Sequence, residues 1–401
     1  MVPAIPVGPV AVRPSARRRP LTIDDYRHLA RRSVPRMVWS FIDGGADREQ
    51  TLRANTGAFD EWVLRPRVLT GAAAPDLSTP LGTATAGLPV YVSPTGMTGL
   101  THRSGEPALA RAAERCGTRA VISTAASYTV EEIAAATERD HFFQLYPWTS
   151  ATTGEPLARR FIDRARAAGF GARFVTVDVP VAGNRIAERR SGMGVPPEFT
   201  PAGLLDAARH PRWCCHLLRS RRVAARMLVD ERGVGAGVRS ARRQQSLLDA
   251  TVTWDDIARI RDMWHGPLYV KGILDPADAE AAVRCGADGV VVSNHGGRQL
   301  DGAPAALRAL PAVVDRIGGT VPVLMDGGVR SGVDVVKALA LGATAVGIGR
   351  PALYGLAAEG EEGVVRVLGI LRDEIVRTLT LMGVASASGL GRRHIADARG
   401  G

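Results

Sequence analysis

The chain is predicted to fold as an α/β barrel, a (β/α)8 or TIM barrel, with an N-terminal helical extension and a long insertion after strand 4. Three observations predict it. From Leu88 onward, short apolar runs alternate with amphipathic stretches, giving eight strand–helix units in order. The 401 residues exceed the roughly 250 of a plain barrel, which leaves room for an extension and an insertion. Polar residues collect where the strands end: Thr95, Ser123, Gln144, Tyr146, Asp178, Lys271, Ser293, His295 and Asp326. In such barrels that face holds the active site.

Residues 1–20 are rich in Pro and Arg and lack a long apolar stretch, so a disordered tail is expected rather than a secretory signal. Residues 21–401 read as one barrel domain. Leu21-Thr-Ile-Asp-Asp-Tyr offers a helix start, and Pro35–Asp43 reads as a second helix ending near Gly44-Gly45. The strand candidates are Val90–Ser93, Ala120–Ser123, Phe142–Leu145, Phe174–Asp178, Leu268–Lys271, Gly289–Ser293, Val323–Asp326 and Ala345–Ile348. Gly105–Cys116, Glu155–Ala168, Pro276–Cys285 and Gly332–Leu341 have the helical pattern between them. The insertion spans about 190–250. Its centre from Leu204 is helical in pattern but broken by Pro211, and Gly233–Arg243 is expected to be mobile.

Composition narrows the classes. Hydrophobic content of 45% suits a real core, and no apolar run approaches the roughly 20 residues of a membrane span. Cys116, Cys214, Cys215 and Cys285 show no C-x-x-C spacing, which predicts a reducing cytoplasm and no structural metal. The net charge of +11 is mostly local: ten arginines between Leu205 and Arg243 face only Asp206, Asp230 and Glu231. Without a nucleic-acid motif or interleaved aromatics, this is a basic loop on an enzyme, with no nucleic-acid partner. Lys271 and Lys337 are the only lysines among 51 basic residues, which makes Lys271 at the end of an apolar strand conspicuous.

The most informative stretch is Ser293-Asn-His-Gly-Gly-Arg-Gln-Leu-Asp301, which follows the buried run Gly289–Val292. It pairs His295, an imidazole able to act as acid or base, with Arg298, a fixed cation suited to a carboxylate. Two more loops point to a phosphate: Asp326-Gly-Gly-Val-Arg330 after strand 7 and Gly347-Ile-Gly-Arg350 after strand 8. Gly327, Gly328 and Gly349 let backbone amides approach, and Arg330 and Arg350 supply charge and bidentate donors.

SNHGGRQLD resembles the signature of the FMN-dependent 2-hydroxy-acid oxidases and dehydrogenases, the family of glycolate oxidase, L-lactate dehydrogenase and mandelate dehydrogenase. The similarity runs from about Leu21 to about Ile395 and includes DGGVRSG at Asp326–Gly332, VKGIL at Val270–Leu274, FFQLY at Phe142–Tyr146 and TVDVP at Thr176–Pro180. The resemblance implies an FMN-binding barrel that oxidises a 2-hydroxy acid to the 2-keto acid, in a homo-oligomer, a tetramer. It implies flavin contacts from Pro94, Thr95, Gly96, Ser123, Gln144, Thr176, Lys271, Ser293 and Asp326, with the phosphate at Gly327, Gly328, Arg330, Gly349 and Arg350. Lys271 beside the flavin would stabilise the reduced ring. His295 is the implied base, Asp178 its orienter, Arg298 and Arg185 the carboxylate clamp, and Tyr146 a donor to the substrate oxygen. Hydride and carbanion routes both stay open.

Four positions bear on the substrate. Phe41 stands where the family usually has a tyrosine, Ala125 where glycolate oxidase has a tryptophan, and Ala182 where a larger apolar residue is usual. These changes enlarge or grease the pocket, so a bulky, aromatic, mandelate-like acid is expected, with a larger secondary-metabolite or peptide-derived intermediate as the alternative. Gly96, as in mandelate dehydrogenase-like members, tilts the acceptor away from O2 towards another oxidant. Membrane-bound relatives use the insertion as an anchor. Trp213, Leu217 and Leu218 amid arginines offer the same here, so a peripheral site on the inner face of the membrane stands as the alternative to a cytoplasmic location.

Overall fold

Continuous β-branched and aromatic runs form the strands. β1 (Val90–Val92), β2 (Val121–Ser123), β3 (Phe142–Leu145), β4 (Ala172–Thr176), β5 (Leu268–Ile273), β6 (Gly289–Val292), β7 (Val323–Asp326) and β8 (Ala345–Ile348) are parallel and almost wholly buried. They pair in the order 1-8-7-6-5-4-3-2, and a bridge between Val92 and Ala120 closes the barrel. The computed structural model describes residues 20–148, 157–194 and 197–398. The expected tail, apart from Pro20, lies outside the described residues, as do the first two residues of the Glu155–Ala168 stretch.

Strand boundaries differ from expectation by one residue in β1, β2 and β6 and by two in β4 and β5. β4 begins at Ala172 and ends at Thr176, so Asp178 sits in the loop beyond it. β5 runs on to Ile273 through a bulge at Gly272, whose φ is +108°. A Cβ there would lie 2.7 Å from the Asp178 Cβ, so a glycine is needed for the two strand ends to approach.

The barrel's lower interior is aromatic. Phe174 stacks on Tyr269 at 4.8 Å and lies 5.7 Å from Phe142. A hairpin of Thr79–Leu81 and Ala84–Ala86, which the sequence reading missed, plugs this end, with Leu81 buried and Gly82 N donating to the Tyr269 hydroxyl at 3.2 Å. His295 and Asp326 lie at the other end.

The extension comprises α1 (Ile23–Ser33), α2 (Arg36–Asp43) and α3 (Gln50–Gly57). Thr22 caps α1 in a box with Asp25. α2 ends at Gly44 as expected.

The insertion forms three helices. The expected break holds: α4 (Pro201–Ala208) and α5 (Pro211–Ser220) are separate, with Pro211 opening the second. Gly233–Arg243, expected to be mobile, instead lies in a helix, α6 (Val234–Ser246). Gly237 lies against segment 222–225: an added Cβ would meet the Val223 carbonyl oxygen at 2.8 Å. Ser240 is buried and accepts from Ala225 N at 3.1 Å. Small residues one turn apart thus let the helix approach closely. Among the described residues no helix is long and apolar enough to cross a membrane.

Candidate active site

The strand ends and the insertion enclose a cavity of about 400 Å³, and its lining brings together residues distant in sequence. Pro94, Thr95, Gly96, Ser123, Ala125, Gln144, Tyr146, Thr176, Ala182, Arg185, Lys271, His295 and Arg298 all line it, with Phe41 from α2. So do Asp326, Gly327, Gly328, Arg330, Gly349 and Arg350. Asp178 stands behind His295, and Ser293 behind Lys271.

His295 is positioned by unusual backbone. Its φ is +57°, and Gly296 and Gly297 follow at +65° and +73°. Three consecutive left-handed residues turn the chain back on itself just beyond β6, a conformation that costs a non-glycine residue about 1–3 kcal/mol. The turn is held by Ser293 Oγ, which accepts from His295 N at 3.1 Å, and by Asn294, which exchanges side-chain hydrogen bonds of 2.8 Å with Asn55 of α3. The His295 Nδ1 lies 3.0 Å from Asp178 Oδ1, which leaves Nε2 for the cavity. Burial works to raise the Asp178 carboxyl, but His295 and then Lys271 outweigh it and hold it below its ordinary value.

Lys271 sits in a closed network. Its Nζ donates to Ser293 Oγ at 2.7 Å and pairs with Asp326 Oδ2 at 3.2 Å. Ser293 Oγ donates in turn to Asp326 Oδ1 at 2.5 Å, and Ser93 Oγ to Oδ2 at 3.1 Å. Ser293 therefore has its one proton and both lone pairs engaged within the protein. Ser293 and Asp326, expected to face the cofactor, hold Lys271 in place.

The two arginines of the expected clamp are not equivalent. Arg298 donates through Nη1 to the carbonyls of Phe41 (2.9 Å) and Gly44 (3.1 Å), and its Nη2 pairs with Glu188 at 2.8 Å. Its guanidinium also lies 5.2 Å from the Phe41 ring centroid. Arg185 makes two long contacts, 3.5 Å to the Arg298 carbonyl and 3.3 Å to Gln299 Oε1. Burial, then the charge of Arg298, bring Arg185 down to about 10, so it is still a cation at neutral pH. Tyr146 stacks on Trp148 at 4.8 Å. Burial, then the charge of Asp178, push its phenol well above the ordinary value and keep it a neutral donor.

Arg350 donates to the carbonyls of Gly296 (2.9 Å) and Gly44 (2.7 Å), and burial, then Arg298, lower it to about 10. Gly327 and Gly328 adopt φ of +109° and +85°, and a Cβ on Gly328 would overlap the Asn55 carbonyl. The Asp326–Arg330 loop therefore packs directly on α3. Sequence reasoning missed this contribution of the extension, and it missed Glu188. The signal for Glu188 was available: an acid three residues after Arg185, on the helix Ile186–Arg190.

Several buried polar atoms on the lining have no protein partner: Thr95 Oγ1, Gln144 Nε2, Thr176 Oγ1 and Arg350 Nε. Gln144 is oriented for this, because its Oε1 accepts from Ser123 Oγ at 3.0 Å and turns the amide nitrogen outward. A polar ligand with acceptor atoms along its length fits such a row.

A family model described as FMN-dependent dehydrogenase matches residues 30–397. A peroxisomal (S)-2-hydroxy-acid oxidase of Oryza sativa subsp. japonica is 39% identical over 376 residues, covering 94% of this chain and 96% of the relative. An L-lactate dehydrogenase of Yersinia pestis (strain Pestoides F) is 38% identical, covering 93% and 97%. Among solved structures, a monotopic membrane protein, (S)-mandelate dehydrogenase, superposes with a TM-score of 0.87 at 34% identity, covering 95% of this chain and all of that one. A mandelate oxidase superposes at 0.77, also at 34% identity, covering 94% and 98%. With the partnerless polar atoms of the cavity suited to a flavin and its phosphate, this chain belongs to the FMN-dependent 2-hydroxy-acid oxidase and dehydrogenase family, oxidoreductases acting on CH–OH groups.

Proposed function

We infer that the chain oxidises a bulky, apolar, mandelate-like 2-hydroxy acid to its 2-keto acid. The observation that carries this reading is the apolar part of the lining, where Phe41 and Ala125 offer apolar surface and no polar side-chain atom. Ala125 is fitted to Gly96: a Cβ on Gly96 would lie 2.9 Å from the Ala125 Cβ. The mandelate dehydrogenase and mandelate oxidase among the structural relatives point the same way.

In this reading Arg330 and Arg350 hold the FMN phosphate. Thr95, Gln144 and Thr176 would hydrogen-bond the flavin, and Lys271 would supply a cation beside it. Bound there, FMN supplies an acceptor for two electrons from the substrate α-carbon. Arg185 takes the substrate carboxylate and Tyr146 donates to a substrate oxygen. His295 Nε2 accepts a proton, and the ionised Asp178 favours the imidazolium that results.

The test is anaerobic mixing of the holoprotein with a panel of 2-hydroxy acids while flavin bleaching is followed. Mandelate should exceed glycolate and lactate in kcat/KM by roughly a hundredfold, since each methylene-sized group buried contributes about 0.8 kcal/mol. A preference for glycolate or lactate would overturn the reading. One observation favours a second substrate class, a larger metabolite: the cavity continues under the insertion to Trp213, Leu217 and Val238. Bleaching by neither small nor aromatic acids would select it.

A further inference from the structure

Behind Arg330 a stack of side chains runs from α1 to the loop after β7. The Arg27 guanidinium lies 5.9 Å from the Trp39 ring centroid. Trp39 stacks on Tyr354 at 5.9 Å with 26° between the ring planes, and the Arg330 guanidinium lies 6.0 Å from the Tyr354 ring. Two aromatic rings thus separate two cations, and the negative face of each ring attracts its neighbouring cation. Tyr354 is fully buried, one turn after Arg350 on the helix Arg350–Glu359, and is not part of the cavity lining.

Asp43, the last residue of α2, ties this stack together. Its Oδ1 accepts from Arg27 Nε at 3.0 Å and from the Tyr354 hydroxyl at 2.5 Å, and its Oδ2 accepts from Arg27 Nη2 at 2.8 Å. Burial pushes the Tyr354 phenol up to about 12, so it stays a neutral donor to that carboxylate. Arg330 itself is lightly held: among the described residues its side chain makes one hydrogen bond, 2.7 Å to the Val329 carbonyl. The charge of Asp43 reaches Arg350 as well, but the carboxylate is engaged by Arg27. The charge of both cavity arginines is left for a ligand.

We propose that Tyr354, steadied by Asp43, is a positioning residue that makes this chain select a flavin bearing a phosphate over the same flavin without one. The proposal rests on the reading that Arg330 and Arg350 hold the FMN phosphate. The buried ring limits where the Arg330 guanidinium can stand before a ligand arrives, so less side-chain freedom is lost when the phosphate binds. Riboflavin, which has no phosphate, gains nothing from this order.

The test titrates the full chain, freed of flavin, with FMN and with riboflavin, and reads binding from quenching of flavin fluorescence. Wild type should favour FMN strongly. Tyr354→Leu should lower the ratio of the two affinities by on the order of tenfold, the loss of a partly desolvated cation–ring contact, with the change confined to FMN. Tyr354→Phe keeps the ring but loses the bond to Asp43, and should lower the ratio by about threefold. Equal weakening of both ligands would mean that Tyr354 merely supports the fold, and overturns the proposal. An unchanged ratio in Tyr354→Leu overturns it too. Should that variant not fold, Tyr354→Phe carries the test, and a wild-type ratio there overturns the proposal. Arg330→Ala separates the two levels of the argument. If it keeps the FMN preference, the phosphate assignment fails and the proposal falls with it. If it loses the preference while Tyr354→Leu keeps it, the assignment stands and the role of Tyr354 alone is rejected.

Discussion

The rim of the barrel and the insertion above it enclose the same cavity but are built in opposite ways. At the rim, Lys271, Ser293, Asp326 and Ser93 satisfy one another within a few ångströms, and each is buried. In the insertion, α4 and α5 contain no fully buried residue, and Leu204, Leu205 and Leu218 are 58–70% exposed. A few directional contacts hold these two helices: Trp213 Nε1 donates to the Leu100 carbonyl at 2.8 Å, and Arg36 N donates to Asp206 at 2.7 Å. The rim is over-determined, and α4 and α5 are sparsely tethered. In the proposed function, chemistry that needs fixed distances would sit on the first, and the part of the wall that meets the substrate's far end on the second.

The sharpest way to break this contrast is at the rim. His295→Ala should keep bound flavin but lose flavin reduction by roughly 10²–10⁴-fold, the usual contribution of a positioned base. Stopped-flow reduction with mandelate checks it, and a near wild-type rate would remove His295 from the chemistry. Lys271→Met should come next. It leaves Asp326 buried beside two hydroxyls without its cation, and denaturant unfolding of the apoprotein should show a loss of about 3–5 kcal/mol. Most of that loss should return in Lys271→Met with Asp326→Leu. No loss in the single variant would mean the network does not stabilise the rim.

The smallest effect belongs to the insertion and is a pH effect. His102, in the loop after β1, packs edge-on against His216 of α5 at 4.5 Å. Burial, then His216 and Arg103, lower His102 to about 4. Burial, then Arg103 and Arg219, lower His216. A folded-state pKa below the unfolded value of about 6.5 means the unfolded form binds protons first. This contribution to stability is therefore fully present above about pH 6.5 and is lost as pH falls towards 4. Hydrogen exchange at pH 7 and pH 5, corrected for intrinsic rates, should show α5 losing protection while β6 and β7 keep theirs. His102→Gln should flatten the difference. Equal loss in both regions would contradict the two-part picture.

The same contrast explains what could be read from the sequence. The rim was legible because its residues belong to or follow apolar strands, so that Lys271, His295 and Asp326 fall at or near a strand end. Their partners were less so. Ser293 and Asp326 proved to brace Lys271, because a hydroxyl's three bonding positions are known only once its neighbours are placed. α6 was misread because glycine and arginine mimic the composition of a mobile loop. Its glycines serve close packing on Val223, which local sequence does not reveal. The carbonyls of Phe41 and Gly44 are backbone atoms that any residue would supply, so nothing in the side-chain pattern announced them.

The Gly44 carbonyl, at the end of α2, accepts from both Arg298 and Arg350. One atom outside the barrel therefore anchors both Arg298, proposed for the substrate end, and Arg350, proposed for the phosphate. A disturbance of α2 that moves this oxygen by a fraction of an ångström reaches both ligands together. Variants of α2 residues that do not line the cavity should present as mixed defects, with weaker cofactor retention and altered substrate selectivity rising in step, although no changed side chain touches either molecule.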